Sequence, residues 1–192
     1  AIHTSQQVPL ENVTTLKNVE SDLKDFVKHG FKPGYQVGLP NFDSIFSTYT
    51  GQFITVTGIP SSGKSDFVDM PSPGEIGGSK WKEVSNHVND NFYFIDMDKY
   101  SLESILRKGA ELVKRKGIKC LVIDPYNKVR DIDAVSDDVN RYTMDYLGKI
   151  EQFCKRYDVL TFIVAHPTKM PRENGKIVEP NMYNIKGGGE WY

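Results

Sequence analysis

Apolar and polar positions alternate in two rhythms along this 192-residue chain. Continuous runs of β-branched, aromatic and aliphatic residues occur at QFITVTG (52–58), NFYFID (91–96), KCLVID (119–124) and VLTFIVAH (159–166). Each is short, rich in strand-forming residues and apolar on both sides of a pleat, which predicts four buried strands. Between the second and third run, SLESILRKGAELVKRKG spaces Leu102, Ile105, Leu106, Leu112 and Val113 along one helical face, with Ser101 as N-cap and Gly117 as stop. Between the third and fourth, Val139, Leu147, Ile150, Phe153, Cys154 and Tyr157 mark a second long helix. Strands alternating with helices predict an α/β fold: a mostly parallel sheet with helices on both faces.

Ahead of this core, NVESDLKDFVKHG places Val19, Leu23, Phe26 and Val27 at helical spacing and ends at Gly30. The Pro- and Gly-rich FKPGYQVGLPNFDSIF follows as a connection. Residues 1–40 therefore read as an N-terminal arm with a short amphipathic helix, and 41–192 as the core. Length sets an expectation of one core.

Charge narrows the picture only by exclusion. With 24 basic against 25 acidic residues the net charge is −1, so any polyanion site must be local rather than a property of the whole surface. Cys120 and Cys154 fall inside apolar patterns, as buried thiols in a reducing compartment do. No run approaches a membrane span, and AIHTSQQVPLENV has neither the basic nor the apolar region of a signal peptide. A soluble intracellular protein without a membrane partner is expected.

The chemistry begins where the first predicted strand ends. Gly58, Ile59, Pro60, Ser61, Ser62, Gly63, Lys64 and Ser65 satisfy G-x-x-x-x-G-K-[ST]. Glycines let successive backbone N–H groups turn toward phosphates, Lys64 neutralises the β and γ phosphates, and the Ser65 hydroxyl is placed for Mg²⁺. ATP or another NTP with Mg²⁺ is the expected cofactor pair. In KCLVIDPYN a buried strand delivers Asp124 to the C-terminal edge of the sheet, where its carboxylate would hold the metal through water. His166 leaves the last strand at the same edge and is a candidate sensor of the γ-phosphate or the attacking water. The 26 residues after it (167–192) are too many for a simple connector. They carry Lys169, Arg172, Lys176 and Lys186, and Gly187 and Gly188 would allow close approach to a phosphate backbone, so these six are candidate DNA contacts.

Together these motifs resemble those of the RecA-like hexameric replicative helicases, the DnaB and Twinkle group, particularly phage and bacterial proteins of the primase-helicase type. GLPNFDSIFSTYTGQFITVTGIPSSGKSDF is similar to that family's lead-in, strand and Walker A motif, and LVIDPYN to its Walker B motif. FIVAHPTKM resembles the third motif, whose polar residue couples γ-phosphate to DNA and would here be His166. YNIKGGGEWY resembles the Gly-rich fourth motif of the DNA-contacting loop, and the helix at 19–29 resembles a linker helix that packs on a neighbouring subunit. The resemblance implies an NTP-driven translocase on single-stranded DNA that unwinds duplex as a ring, a hexamer. Catalytic roles would fall to Lys64, Asp124 and His166, with a possible primase domain or partner, in the cytoplasm of a bacterial or phage-infected cell. Two other readings of the motifs are a recombinase- or circadian-clock-type RecA ATPase without unwinding, and a nucleotide-gated assembly module that does not hydrolyse.

Two departures accompany the resemblance. The family's catalytic glutamate sits on a strand after the Walker A helix, and none is found: Glu75 lies in a Pro/Gly stretch and Glu83 in a predicted helix, so neither is assigned. The arginine finger is not found either. A phosphate-loop helix ordinarily needs about three turns, but Ser65 to Met70 supply six residues before PSPGEIGG, so a seam in the core is expected between Met70 and Pro71.

Overall fold

The computed structural model describes residues 16–30, 33–37, 40–69, 81–129, 139–185 and 191. They fall into two compact units, Ala1–Thr48 and Tyr49–Tyr192.

In the first unit, helix α1 (Leu16–His29) ends where Gly30 takes φ 75°, its N–H donating to the Phe26 carbonyl at 2.8 Å. Only glycine adopts this left-handed cap without strain, so the sequence stop and the structural stop coincide. The short α2 (Pro40–Asp43) is held by Asp43, whose Oδ1 accepts from the Val37 N–H at 2.7 Å.

The second unit is built on β1 (Phe53–Thr57), β2 (Cys120–Ile123) and β3 (Leu160–Ala165), all parallel, in the spatial order β1-β3-β2. β3 is buried at all six positions, which requires cover on both faces. On one face Phe67 of α3 (Lys64–Asp69) meets Phe162 edge to face at 6.4 Å. On the other, Cys154 of α6 (Val139–Tyr157) donates to Thr161 Oγ1 at 3.1 Å. Adjacent strand residues point to opposite faces, so these two contacts place helices on both sides of the sheet, as the pattern predicts.

Helix α5 (Leu102–Lys116) begins at Ser101, whose side chain accepts from the Ser104 N–H, while Ser104 returns the bond to the Ser101 backbone. It ends at Gly117, φ 69°, with the glycine N–H on the Val113 carbonyl at 2.9 Å. α5 shares the Leu121/Thr161 face with α6 and packs tightly on it at Gly109: a Cβ there would lie 3.0 Å from Phe153 Cζ and 3.5 Å from Leu121 Cδ2. The core on this side is Ile105, Leu121, Ile150, Phe153 and Ile163.

Two sequence expectations change. NFYFID is not a strand: helix α4 (Trp81–Asn91) runs into it, and residues 92–97 pair with no strand among the described residues. Ile95 and Met97 pack on the core, but Phe94 is 85% exposed. A strand needs a neighbouring ladder for its backbone, and apolar composition alone does not provide one. The stretch after His166 is also more ordered than a loop. It carries a two-stranded antiparallel ribbon, β4 (Arg172–Glu173) and β5 (Lys176–Ile177), turning at Asn174 (φ 50°) and Gly175 (φ 79°). The junction between Met70 and Pro71 lies outside the described residues.

Candidate nucleotide-binding site

The parallel register brings the three strand ends to one edge of the sheet. β1 stops at Thr57, opposite Ala165, so Gly58 leaves the sheet beside His166. β2 stops at Ile123, opposite Ile163, so Asp124 emerges on the other side of β3. In an open parallel sheet the crevice at the C-terminal ends of the strands is where ligands bind.

The loop from Gly58 to Ser65 curls back on itself. Gly63 has φ 78° and Ser61 φ 61°, a left-handed conformation that a non-glycine residue adopts only where the surrounding turn enforces it. At Gly58 a Cβ would lie 2.8 Å from Ser62 Oγ, so that hydroxyl would have to turn away from any larger residue. Lys64 is 9% exposed, and its Nζ donates to the Gly58 carbonyl at 3.0 Å and the Ile59 carbonyl at 2.8 Å. The ammonium is therefore held against its own loop, where charged phosphate oxygens would be stronger acceptors than these carbonyls. Gly63 accepts from the Phe67 N–H at 2.9 Å, tying the loop to the first turn of α3.

Ser65 Oγ donates to Asp124 Oδ2 at 2.5 Å, joining the phosphate loop to the end of β2. This hydroxyl and carboxylate are hard oxygen donors, and both are exposed. They fit Mg²⁺, which binds through one or two protein oxygens together with phosphate oxygens and water. The loop after Asp124 is anchored by Tyr126, 9% exposed, whose ring meets Tyr146 of α6 at 4.7 Å and Trp191 at 4.8 Å, both nearly perpendicular. Sequence reasoning missed this aromatic clamp. Three aromatics far apart in the chain give no local signal.

His166 is half-buried at the root of the segment that carries the ribbon. Next to it Pro167 pairs with Ile185, and the Thr168 N–H donates to the Asn184 carbonyl at 2.6 Å. Ile185 is buried, so residues 168–184 form a closed excursion rooted at the crevice. Lys169, Arg172 and Lys176 are exposed on it. The register sets Arg172 opposite Ile177 and Lys176 opposite Glu173, which puts the two cations on opposite faces of the ribbon. Lys186, Gly187 and Gly188 lie outside the described residues, as does Glu75; Glu83 lies within α4. Among the described residues no helix is long and apolar enough to cross a membrane.

No family model matches the chain. In sequence it is 26% identical, over 240 residues, to the Twinkle homolog protein, chloroplastic/mitochondrial, of Arabidopsis thaliana, an alignment covering 100% of this chain and 34% of that protein. In structure it matches a DnaB-like replicative helicase, solved in a study of its interactions with primase. The TM-score is 0.65 at 12% identity, over 94% of this chain and 54% of that one. The chain thus spans about a third of the curated relative and about half of the solved structure. The likeness to the DnaB and Twinkle group read from the motifs is borne out, and so is the RecA-like fold.

Proposed function

We propose that this chain, alike in motifs and fold to the DnaB and Twinkle group, is the NTP-hydrolysing core of a translocase that moves along single-stranded DNA and unwinds duplex. The observation that carries the reading is the Ser65–Asp124 hydrogen bond at the mouth of the Lys64 loop, beside the root of an excursion that carries Lys169, Arg172 and Lys176 with Glu173 and Glu179. A phosphate loop alone would be shared by many nucleotide-binding proteins. A phosphate loop whose neighbouring strand ends in a histidine and then a charged, closed segment has the parts to convert phosphate loss into movement.

Mg²⁺ bound with the nucleotide would supply positive charge that offsets the charge developing on the phosphates. Ser65 and Asp124 hold it, and Lys64 and the backbone of residues 58–63 orient the phosphates. His166 is the proposed hydrogen-bond partner of the γ-phosphate or the attacking water. The Pro167–Ile185 pairing passes its displacement into the excursion bearing Lys169, Arg172 and Lys176. Lys186, Gly187 and Gly188 complete the proposed DNA contacts. DNA binding of this kind is salt-sensitive and indifferent to sequence.

The proposed assembly is a ring in which each nucleotide lies between subunits, with the arginine finger offered by the neighbouring subunit and the water-orienting glutamate belonging at the Met70–Pro71 junction. Support for association comes from α1, which leaves Leu23, Phe26 and Val27 exposed at 47%, 43% and 78%. A contiguous apolar stripe of that kind marks a contact surface. The Met70–Pro71 junction is proposed as a seam; the alignment with the Twinkle homolog runs over 240 positions against 192 residues here, which leaves room for inserted segments. The intact mass of the native polypeptide tests it; a value of 21.8 kDa removes the proposal. A primase domain or partner and a bacterial or phage-infected cytoplasm are proposed on the sequence resemblance; the named relative is a chloroplastic/mitochondrial protein.

The functional test is NTP hydrolysis with and without single-stranded DNA, using Lys64→Ala as reference. DNA-stimulated turnover above that variant supports the motor. Turnover equal to it, with nucleotide still bound, supports a nucleotide-gated assembly module instead.

A further inference from the structure

Between α5 and α6, on the sheet face served by both helices, lies a groove of about 840 Å³ lined only by residues of these two helices. Its floor is apolar: Leu106 and Ala110 from α5, Phe153 and Tyr157 from α6. Its rim is cationic, with Arg107, Lys114 and Arg115 on one side and Lys149 and Arg156 on the other. The carboxylates in the lining are Glu103 and Glu111, and Glu111 is already engaged, accepting from Lys108 Nζ and Arg115 Nη1 at 3.1 Å each. Those contacts, the Lys108 hydrogen bond first, hold its carboxyl below the ordinary value.

Arg107, Lys114, Lys149 and Arg156 form no ion pair among the described residues, and all are exposed. The chain as a whole carries a net charge of −1, so a concentration of cations around an apolar floor is a local feature. The nucleotide site does not use it. Long basic side chains lie along apolar surface with their heads in water, ready to meet carboxylates above the floor.

We propose that this groove docks an acidic amphipathic helix of a partner protein, its apolar residues on the half-buried Leu106, Ala110 and Tyr157, backed by the buried Phe153, and its carboxylates on the Arg107, Lys114 and Lys149 rim. Helix-in-groove recognition needs apolar anchors one turn apart and complementary flanking charge, and the groove offers both. Single-stranded nucleic acid is the poorer fit. It is held chiefly by stacking on open aromatic faces, whereas Phe153 is 5% exposed within the core and Tyr157 already lies 5.6 Å beneath the Arg156 guanidinium. A second copy's α1 is also a poorer fit, because LKNVESDLKDFVKH balances three lysines against three carboxylates.

The test is fluorescence anisotropy on the full chain with a labelled helical peptide about four turns long, leucines at i, i+4, i+7 and i+11 and glutamates elsewhere. The expected result is binding at low salt that falls at least tenfold in the Arg107→Glu/Lys149→Glu double variant. It falls similarly for a peptide with lysines in place of the glutamates. Both substituted positions are exposed, so thermal melts and NTP hydrolysis of the variant should match the parent. Equal peptide affinity in the double variant, equal binding of the lysine peptide, or no binding by the parent would each overturn the proposal. So would displacement of the peptide by a single-stranded oligonucleotide whose own affinity drops in the same variant, which would make the groove a nucleic-acid face.

Discussion

The Ser65 hydroxyl and the Asp124 carboxylate, 59 residues apart in sequence, share a hydrogen bond of 2.5 Å at the C-terminal edge of the sheet. One belongs to the loop proposed to meet the nucleotide, the other to the strand end proposed to meet its metal. If they act as a unit on Mg²⁺, their effects will not add. Ser65→Ala and Asp124→Asn are each expected to weaken Mg²⁺-dependent hydrolysis by about 10–100-fold, and the double variant to be no worse than Asp124→Asn. Titrating Mg²⁺ in the hydrolysis assay checks this: additive losses would separate the two roles.

The ribbon after β3 makes a different prediction. Lys169, Arg172 and Lys176 are exposed on a segment rooted beside His166. If each neutralises one phosphate of single-stranded DNA, its replacement by alanine lowers the log–log salt slope by about 0.7. Arg172 and Lys176 lie on opposite faces of the ribbon, so both show the effect only if the strand follows both faces, and a loss at one alone removes the other from the proposed contacts. Salt titrations of DNA binding for the three single variants decide which face is used.

What the sequence made legible follows from how local each signal is. The phosphate loop and Asp124 were readable because fixed spacing and strand context carry the chemistry. The caps Ser101, Gly30 and Gly117 were readable because each satisfies its helix end within a few residues. NFYFID misled because apolar, aromatic composition marks a strand only when a neighbour pairs with it, and pairing is not written locally. The ribbon had a signal that went unused: Asn174-Gly175 between Arg172-Glu173 and Lys176-Ile177 is the residue pair that a two-residue hairpin turn demands. The Tyr126, Tyr146 and Trp191 cluster could be found only once the fold had brought the rings together.

Gly109 tests the packing under the groove. A Cβ at this position would lie 3.0 Å from the Phe153 ring, so a branched side chain must push α5 away from α6. Gly109→Val is expected to cost about 1–3 kcal/mol through overpacking, read as a lower denaturation midpoint. An unchanged midpoint would mean that the two helices are not in this close contact.

Asp158 predicts a pH effect with a definite sign. Its carboxylate accepts from Thr50 Oγ1 and from Lys119 Nζ, and these hydrogen bonds, Thr50 first, hold its pKa below the ordinary aspartate value. As pH falls, the unfolded aspartate takes up its proton before the folded one does. The stabilisation is therefore complete above pH about 4 and is lost as pH drops through the lower folded value. Asp158→Asn should flatten the stability curve in that acid range; an identical pH slope in parent and variant would contradict the assignment.

Nucleotide turnover at Lys64, Ser65 and Asp124 is proposed to drive movement on DNA, and strand displacement on a forked duplex measures that coupling directly. The native full-length protein is expected to release the displaced strand only with hydrolysable NTP and Mg²⁺, and Lys64→Ala to release none. NTP hydrolysis stimulated by single-stranded DNA, with no strand displaced from any fork, would contradict the claim.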